Sequence, residues 1–286
     1  MNNYFDLPKK YTQYNDAKIV ILPIPFDKTA TWQKGTAKGP KAILEASHHV
    51  ELYDIETETE VYQNGIFTAK SLKASTSAKM VNAAYRQTEK FINDEKFVVT
   101  LGGEHSISIG LIKAHIEKYP DVSILHFDAH ADFRDIYNDN KYNHACVMAR
   151  TRELTENIVS VGIRSMELAE VRAINPDRLF LADKIFASGE QWIDEVIAKL
   201  TDQVYISFDV DVFEIGIMPS TGTPEPGGLT WYQIINCLKK VAAQHKIIGF
   251  DLVELAPNRY NKAPDFLCAK LVYKMLSYAF CKNLRI

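Results

Sequence analysis

SILHFDAHADFRD, residues 123–135, is the stretch from which the rest of the chain is best read. Residues 123–127 have the character of a buried strand. Asp128, His130 and Asp132 then follow within five residues. Alternate residues of a strand point to one face. If the chain stays extended, these three side chains share a face, and Ala129 and Ala131 take the other. Two carboxylates and an imidazole crowded at the end of an apolar run repel one another and lose solvation. Such a cluster requires compensation.

Outward from this segment, similar β-branched runs recur at residues 18–24, 97–101, 158–162, 204–208 and 246–250, with weaker ones at 65–68 and 178–181. Amphipathic stretches lie between them, at 79–94, 107–119, 189–200, 230–244 and 263–280, and Gly39-Pro40 has the form of a helix start. Alternating strands and helices imply an α/β fold with a parallel sheet covered on both faces. No repeat, low-complexity segment or linker interrupts the pattern, so residues 1–286 are read as one domain. Ligands in such sheets sit beyond the carboxyl ends of the strands. Four strands end in candidate ligands: 97–101 in Gly102-Gly103-Glu104-His105-Ser106, 122–127 in the Asp128 cluster, 204–208 in Asp209-Val210-Asp211, and 246–250 in Asp251 with Glu254 beyond. The spacing from His105 to Asp128 fits one helix and one strand, which predicts neighbouring strand ends.

Each piece has an ordinary reading alone, as a helix cap or a hydrogen-bonded loop. Together, four Asp and two His would form an uncompensated negative cluster. No Lys or Arg falls inside the three motifs, although Arg134 is close. Divalent cations are the natural counter-ions for mixed oxygen and nitrogen donors. Six donors exceed what one catalytic ion uses and suit two ions sharing carboxylates. With a bridging hydroxide the pocket stays net negative, which favours a cationic substrate.

Bulk properties narrow the field. The 286 residues carry 33 Lys and Arg against 36 Asp and Glu, a formal charge of −3. That balance gives no reason to expect a nucleic-acid partner. No apolar run approaches the ~18 residues of a membrane span, and the polar N-terminus lacks a signal-peptide core. Cys146, Cys237, Cys268 and Cys281 form no CxxC pair and are read as reduced thiols in a cytoplasmic protein.

The motifs at 102–106, 127–132 and 207–211 resemble the three metal motifs of the ureohydrolases, the arginase and agmatinase family. Ser220–Leu229 is similar to that family's Gly/Pro loop, and Gly249–Pro257 resembles its last catalytic strand. Pro25-Phe26-Asp27 with Gly35 and Lys38-Gly39-Pro40 resembles the agmatinase branch. The resemblance implies a three-layer α/β/α fold around an eight-stranded, mostly parallel sheet, two Mn²⁺ or other divalent ions, and a homotrimer or homohexamer. Carried over by position, His105 would bind the first ion and His130 the second. Asp128 and Asp209 would bridge, Asp132 would complete the first site, and Asp211 the second. A hydroxide held between the ions would attack a guanidinium carbon. Glu254 would hold the guanidinium and His144 would act as general acid or proton shuttle. His126 is read as a supporting or packed residue.

The loop between Asp132 and His144 lacks the Asn- and hydroxyl-rich pattern of arginases, and Glu104 stands where arginases favour Asp. Both features point to agmatine, hydrolysed to putrescine and urea in polyamine synthesis, with Asp135 or Asp139 as candidates for its distal cation. Aminopropylagmatine, guanidinobutyrate, arginine and formiminoglutamate are the alternative substrates, and a metal-binding regulatory subunit is the non-enzymatic one. One departure is Glu214-Ile215, which replaces the usual Asp-Pro turn after the last metal motif.

Overall fold

A computed structural model describes residues 3–281 and 284. Eight strands form one sheet: β1 (Ile19–Ile24), β2 (Ile66–Thr68), β3 (Phe97–Gly102), β4 (Ser123–Phe127), β5 (Ile158–Ile163), β6 (Leu179–Leu181), β7 (Gln203–Asp209) and β8 (Lys246–Val253). Their order is β2-β1-β3-β8-β7-β4-β5-β6, and every pairing is parallel. The helices are α1 (Gly39–Ser47), α2 (Ser77–Asn93), α3 (Ser108–Lys118), α4 (Val147–Arg152), α5 (Leu168–Val171), α6 (Ala182–Ala187), α7 (Gln191–Ile197), α8 (Trp231–Gln244) and α9 (Ala263–Phe280).

Strand residues alternate between two cores. Ile19 and Ile21 of β1 join α1, α7, α8 and α9 on one face. Val20, Leu22 and Ile24 join α2, α3 and α4 on the other. Burial on both faces explains why the strands read as unbroken apolar runs rather than alternating ones. The result is the expected three-layer α/β/α arrangement. No helix among the described residues is long and apolar enough to cross a membrane.

The four strands that carry the motifs are consecutive at the centre of the sheet: β3, β8, β7, β4. The ends of β3 and β4 are therefore not neighbours, contrary to the spacing argument, because β8 and β7 lie between them. With strands ~4.8 Å apart, His105 must reach across from a loop beyond β3. Gly103 makes this loop fit. Its N–H donates to Ile24 O at 2.9 Å, and its carbonyl accepts Glu254 N–H at 2.8 Å. A Cβ on Gly103 would sit 2.0 Å from Phe26 O. The loop end of β3 is thus laced to those of β1 and β8.

Candidate metal centre and catalytic cleft

Asp128, directly after β4, stands between two imidazoles. Its Oδ2 is 3.1 Å from His105 Nδ1, and its Oδ1 is 3.5 Å from His130 Nδ1. His105 Nδ1 is also 3.0 Å from Asp132 Oδ2 and 3.6 Å from Asp209 Oδ2. His130 Nδ1 is 2.9 Å from Asp211 Oδ2. All six predicted donors therefore meet at one rim of the sheet, in two groups that share Asp128.

The chain does not stay extended to bring them there. Asp132 has φ 56°, a left-handed turn that costs a non-glycine residue energy and swings its carboxylate back to His105. Asp209 caps the short turn after β7, its Oδ1 accepting Asp211 N–H at 2.9 Å. Asp211 Oδ1 accepts Ala129 N–H at 2.9 Å, which ties the ends of β7 and β4 together.

The chemistry of His105 tests whether a cation fits. Tyr205 O–H and Ser207 O–H both donate to the buried Asp251 carboxylate, at 2.7 and 3.1 Å. With its hydrogen committed, Ser207 Oγ must accept from His105 Nε2, 3.0 Å away. In the neutral ring, Nδ1 then carries a lone pair aimed among carboxylate oxygens. Although two of those oxygens lie within 3.1 Å, neither is aligned for a hydrogen bond with Nδ1. Nitrogen and oxygen lone pairs converging on one point is the geometry of a cation site. Ligand atoms of His105, His126 and Asp128, and of Asp128, His130 and Asp211, also lie within 4.8 Å of one another in each group. The residues present fit two divalent ions.

Without ions, protons take up the charge. Burial raises Asp209 well above the ordinary carboxylate range, and the charges of Asp211 and Asp128 add to this. Burial and Asp128 push Asp132 up to about 6. Burial alone would lower His130, but Asp211 and Asp128 carry it to about 12. A site that gathers protons in this way exchanges them for metal.

The centre floors a cleft of about 270 Å³ that His144, Glu254 and Trp32 also line. Glu254 has φ 66°. Its Oε1 accepts His105 N–H at 2.7 Å, and its Oε2 faces Gly222. Burial, with Glu104 nearby, raises its pKa well above normal. His144 opens a short turn and touches Thr29. The sequence thus located both residues on the cleft.

His126 takes the supporting place read for it, buried on β4 with Nε2 2.9 Å from Asp128 Oδ2 and Nδ1 3.2 Å from Ser160 Oγ. Other expectations change. Neither Asp135 nor Asp139 lines the cleft; Asp135 is paired with Arg150. Glu214, in place of an Asp-Pro turn, closes its own loop by accepting Gly227 and Gly228 N–H at 3.0 and 2.8 Å. Arg164, which the sequence did not single out, donates to the carbonyls of Asp211 and Glu225 at 2.6 and 2.8 Å and clamps the rim. Nothing in the local sequence around Arg164 marked it.

Comparison with known proteins agrees with this arrangement. Residues 17–277 match the Arginase family. An N(1)-aminopropylagmatine ureohydrolase of Synechocystis sp. is 37% identical, over 97% of this chain and 96% of its own length. One of Thermus thermophilus is 36% identical, over 93% and 91%. The crystal structure of an agmatine ureohydrolase of Thermoplasma volcanium superposes with a TM-score of 0.88 at 30% identity, covering 98% of this chain and 94% of that one.

Proposed function

The chain belongs to the arginase family of hydrolases acting on guanidino C–N bonds, and from that premise we propose that it releases urea from an alkylguanidine bearing a second amine, with aminopropylagmatine ahead of agmatine. The observation that carries this reading is Asp128 held between His105 and His130, two imidazoles that line the same cleft as Glu254 and His144. Divalent ions bound there, manganese first among them, would lower the pKa of a shared water toward neutrality. His105 and Asp132 would hold one ion, His130 and Asp211 the other, and Asp128 and Asp209 both.

The remaining work falls to the chain. Glu254 Oε2 accepts a guanidinium N–H, and Oε1 keeps a second lone pair beside the one used by His105 N–H. This contact turns the planar carbon toward the metal floor. His144 supplies a proton to the departing amine, without which a C–N bond breaks poorly. In the metal-free site burial, and then the positive charges of His130 and His105, lower His144 to about 4, which leaves its ring neutral and able to accept a proton.

The longer substrate is favoured by the two aminopropylagmatine relatives and by Trp32. This indole is 76% exposed at the mouth of the cleft and offers a π face to a cationic tail. Agmatine is the second reading, favoured by the Thermoplasma volcanium structure. The same proposal takes residues 1–286 as one catalytic domain assembled as a homotrimer or homohexamer, and sedimentation of a monomer would remove that part.

Urea release from aminopropylagmatine, agmatine, arginine, guanidinobutyrate and formiminoglutamate, measured with added Mn²⁺, tests the substrate assignment. The expected result is the highest kcat/KM for aminopropylagmatine. Metal bound with no turnover of any compound would mark a regulatory subunit instead.

A further inference from the structure

Glu104 is fully buried beside the metal centre, yet it points away from His105 and into the 29–31 loop. Its Oε2 accepts Thr29 N–H at 2.5 Å and Ala30 N–H at 3.1 Å. Its Oε1 accepts Ser106 O–H at 2.6 Å and Thr29 O–H at 2.8 Å. Four donors on two oxygens leave the carboxylate as acceptor throughout. The Thr29 hydroxyl has one hydrogen, and Glu104 takes it.

Thr29 Oγ1 can therefore only accept from other partners. It lies 3.1 Å from His144 N–H and 3.1 Å from His144 Nδ1. Among the described residues these are the hydrogen-bond contacts of the His144 N–H and Nδ1. An oxygen with two lone pairs satisfies both if Nδ1 carries the ring proton. A neutral imidazole protonated at Nδ1 is bare at Nε2, the nitrogen on the far side of the ring from Thr29.

We propose that Thr29, braced by Glu104, is a positioning residue that fixes the His144 ring as its Nδ1–H tautomer and presents a bare Nε2 to the cleft. The proposal rests on the acid–base role given to His144 above. It assigns the 29–31 loop a purpose that the metal motifs do not reveal. The proton accepted at Nε2 is one lost by the attacking water as its oxygen bonds to the guanidinium carbon, and it is delivered to the leaving amine as the C–N bond breaks, so the ring ends each cycle in the tautomer in which it began. A ring protonated at Nε2 would face the cleft with a donor and could not take that proton.

Two measurements on the full-length chain test this. Long-range ¹H–¹⁵N correlation spectra of metal-free protein near neutral pH report which ring nitrogen holds the proton, with His144 assigned by its loss in His144→Asn. The expected result is Nδ1–H in the wild type and in Thr29→Ser, and an Nε2–H or mixed ring in Thr29→Val. With metal restored, Thr29→Val should lower kcat by about 10²-fold, the lower range for a general acid–base group. KM should move less than about threefold, because such a group acts in the transition state. Thr29→Ser should recover most of the rate. Thr29→Ala gives the same readings if Thr29→Val does not fold.

An Nε2–H ring in the wild type, an unchanged Nδ1–H ring in Thr29→Val, or a shifted ring with unchanged kcat would each overturn the proposal. Wild-type urea release by His144→Asn would instead remove the role of His144, and the spectra alone would then decide whether Thr29 sets the tautomer.

Discussion

Asp128 concentrates the chemistry of the site in one side chain, because each of its oxygens faces a different imidazole. Asp128→Asn removes a charge from both groups at once. Metal content measured on purified protein should fall below two ions per chain. Urea release should drop by more than the ~100-fold typical of outer-shell changes. Glu254→Gln leaves the metal floor intact but loses a charge-assisted contact to the guanidinium. A loss of roughly 10- to 100-fold in kcat/KM is expected, from ~1.5–3 kcal/mol for a hydrogen bond to a charged group, at unchanged metal content. A variant that sheds its metal would mean that Glu254 acts only as the anchor of His105 N–H. The six donors were legible because each sits in a short polar cluster just after an apolar strand. Thr29 was not, since its partners Glu104 and His144 lie 75 and 115 positions away and nothing local distinguishes it.

Elements explain why the strands were legible and some helices were not. Six of the nine helices among the described residues correspond to the amphipathic stretches or, in the case of α1, to the Gly39-Pro40 start; α2, α3, α8 and α9 are 11 to 18 residues long, enough for a repeating apolar face, and the seven-residue α7 falls within the stretch at 189–200. The short α4, α5 and α6 span 6, 4 and 6 residues, too few turns for a period to emerge. The order of the strands was equally hidden, because sequence spacing cannot reveal that β8 and β7 insert between β3 and β4. The loops beyond those strands carry the precision. Gly103 is the tightest of them, and Gly103→Ala would drive a methyl group into Phe26 O. The β1 and β3 loop ends must then part. A destabilisation of about 2–4 kcal/mol is expected for a backbone clash of this kind, read from the midpoint of chemical denaturation, with metal affinity weakened as His105 shifts. A variant with wild-type stability and metal binding would show that this lacing is dispensable.

At the scale of the whole molecule, pH dependence has a contributor that does not line the cleft. His115 of α3 is buried, stacks on Tyr205 with ring centroids 4.2 Å apart, and donates from Nδ1 to Leu111 O at 2.8 Å. Its Nε2 has no partner among the described residues. Burial lowers its pKa to about 4 from the ordinary 6.5. Since the unfolded chain binds this proton more readily, the native state keeps full stability above pH ~6.5 and loses it as the pH falls toward 4. The loss amounts to about 3 kcal/mol at the acid end. Denaturation curves at pH 7.5 and 5 should therefore differ less for His115→Gln than for the wild type, and an equal difference would acquit His115.

The margins of the sheet have a consequence for how copies of the chain can meet. Its outermost strands, β2 and β6, are three residues each. Stubs of that length give a visiting strand almost no backbone to grip. Such short margins disfavour the zipping of copies into one continuous ribbon and leave association to side chains on helices and loops. That keeps association selective, and it lets a crowded solution of these molecules resist fibre growth.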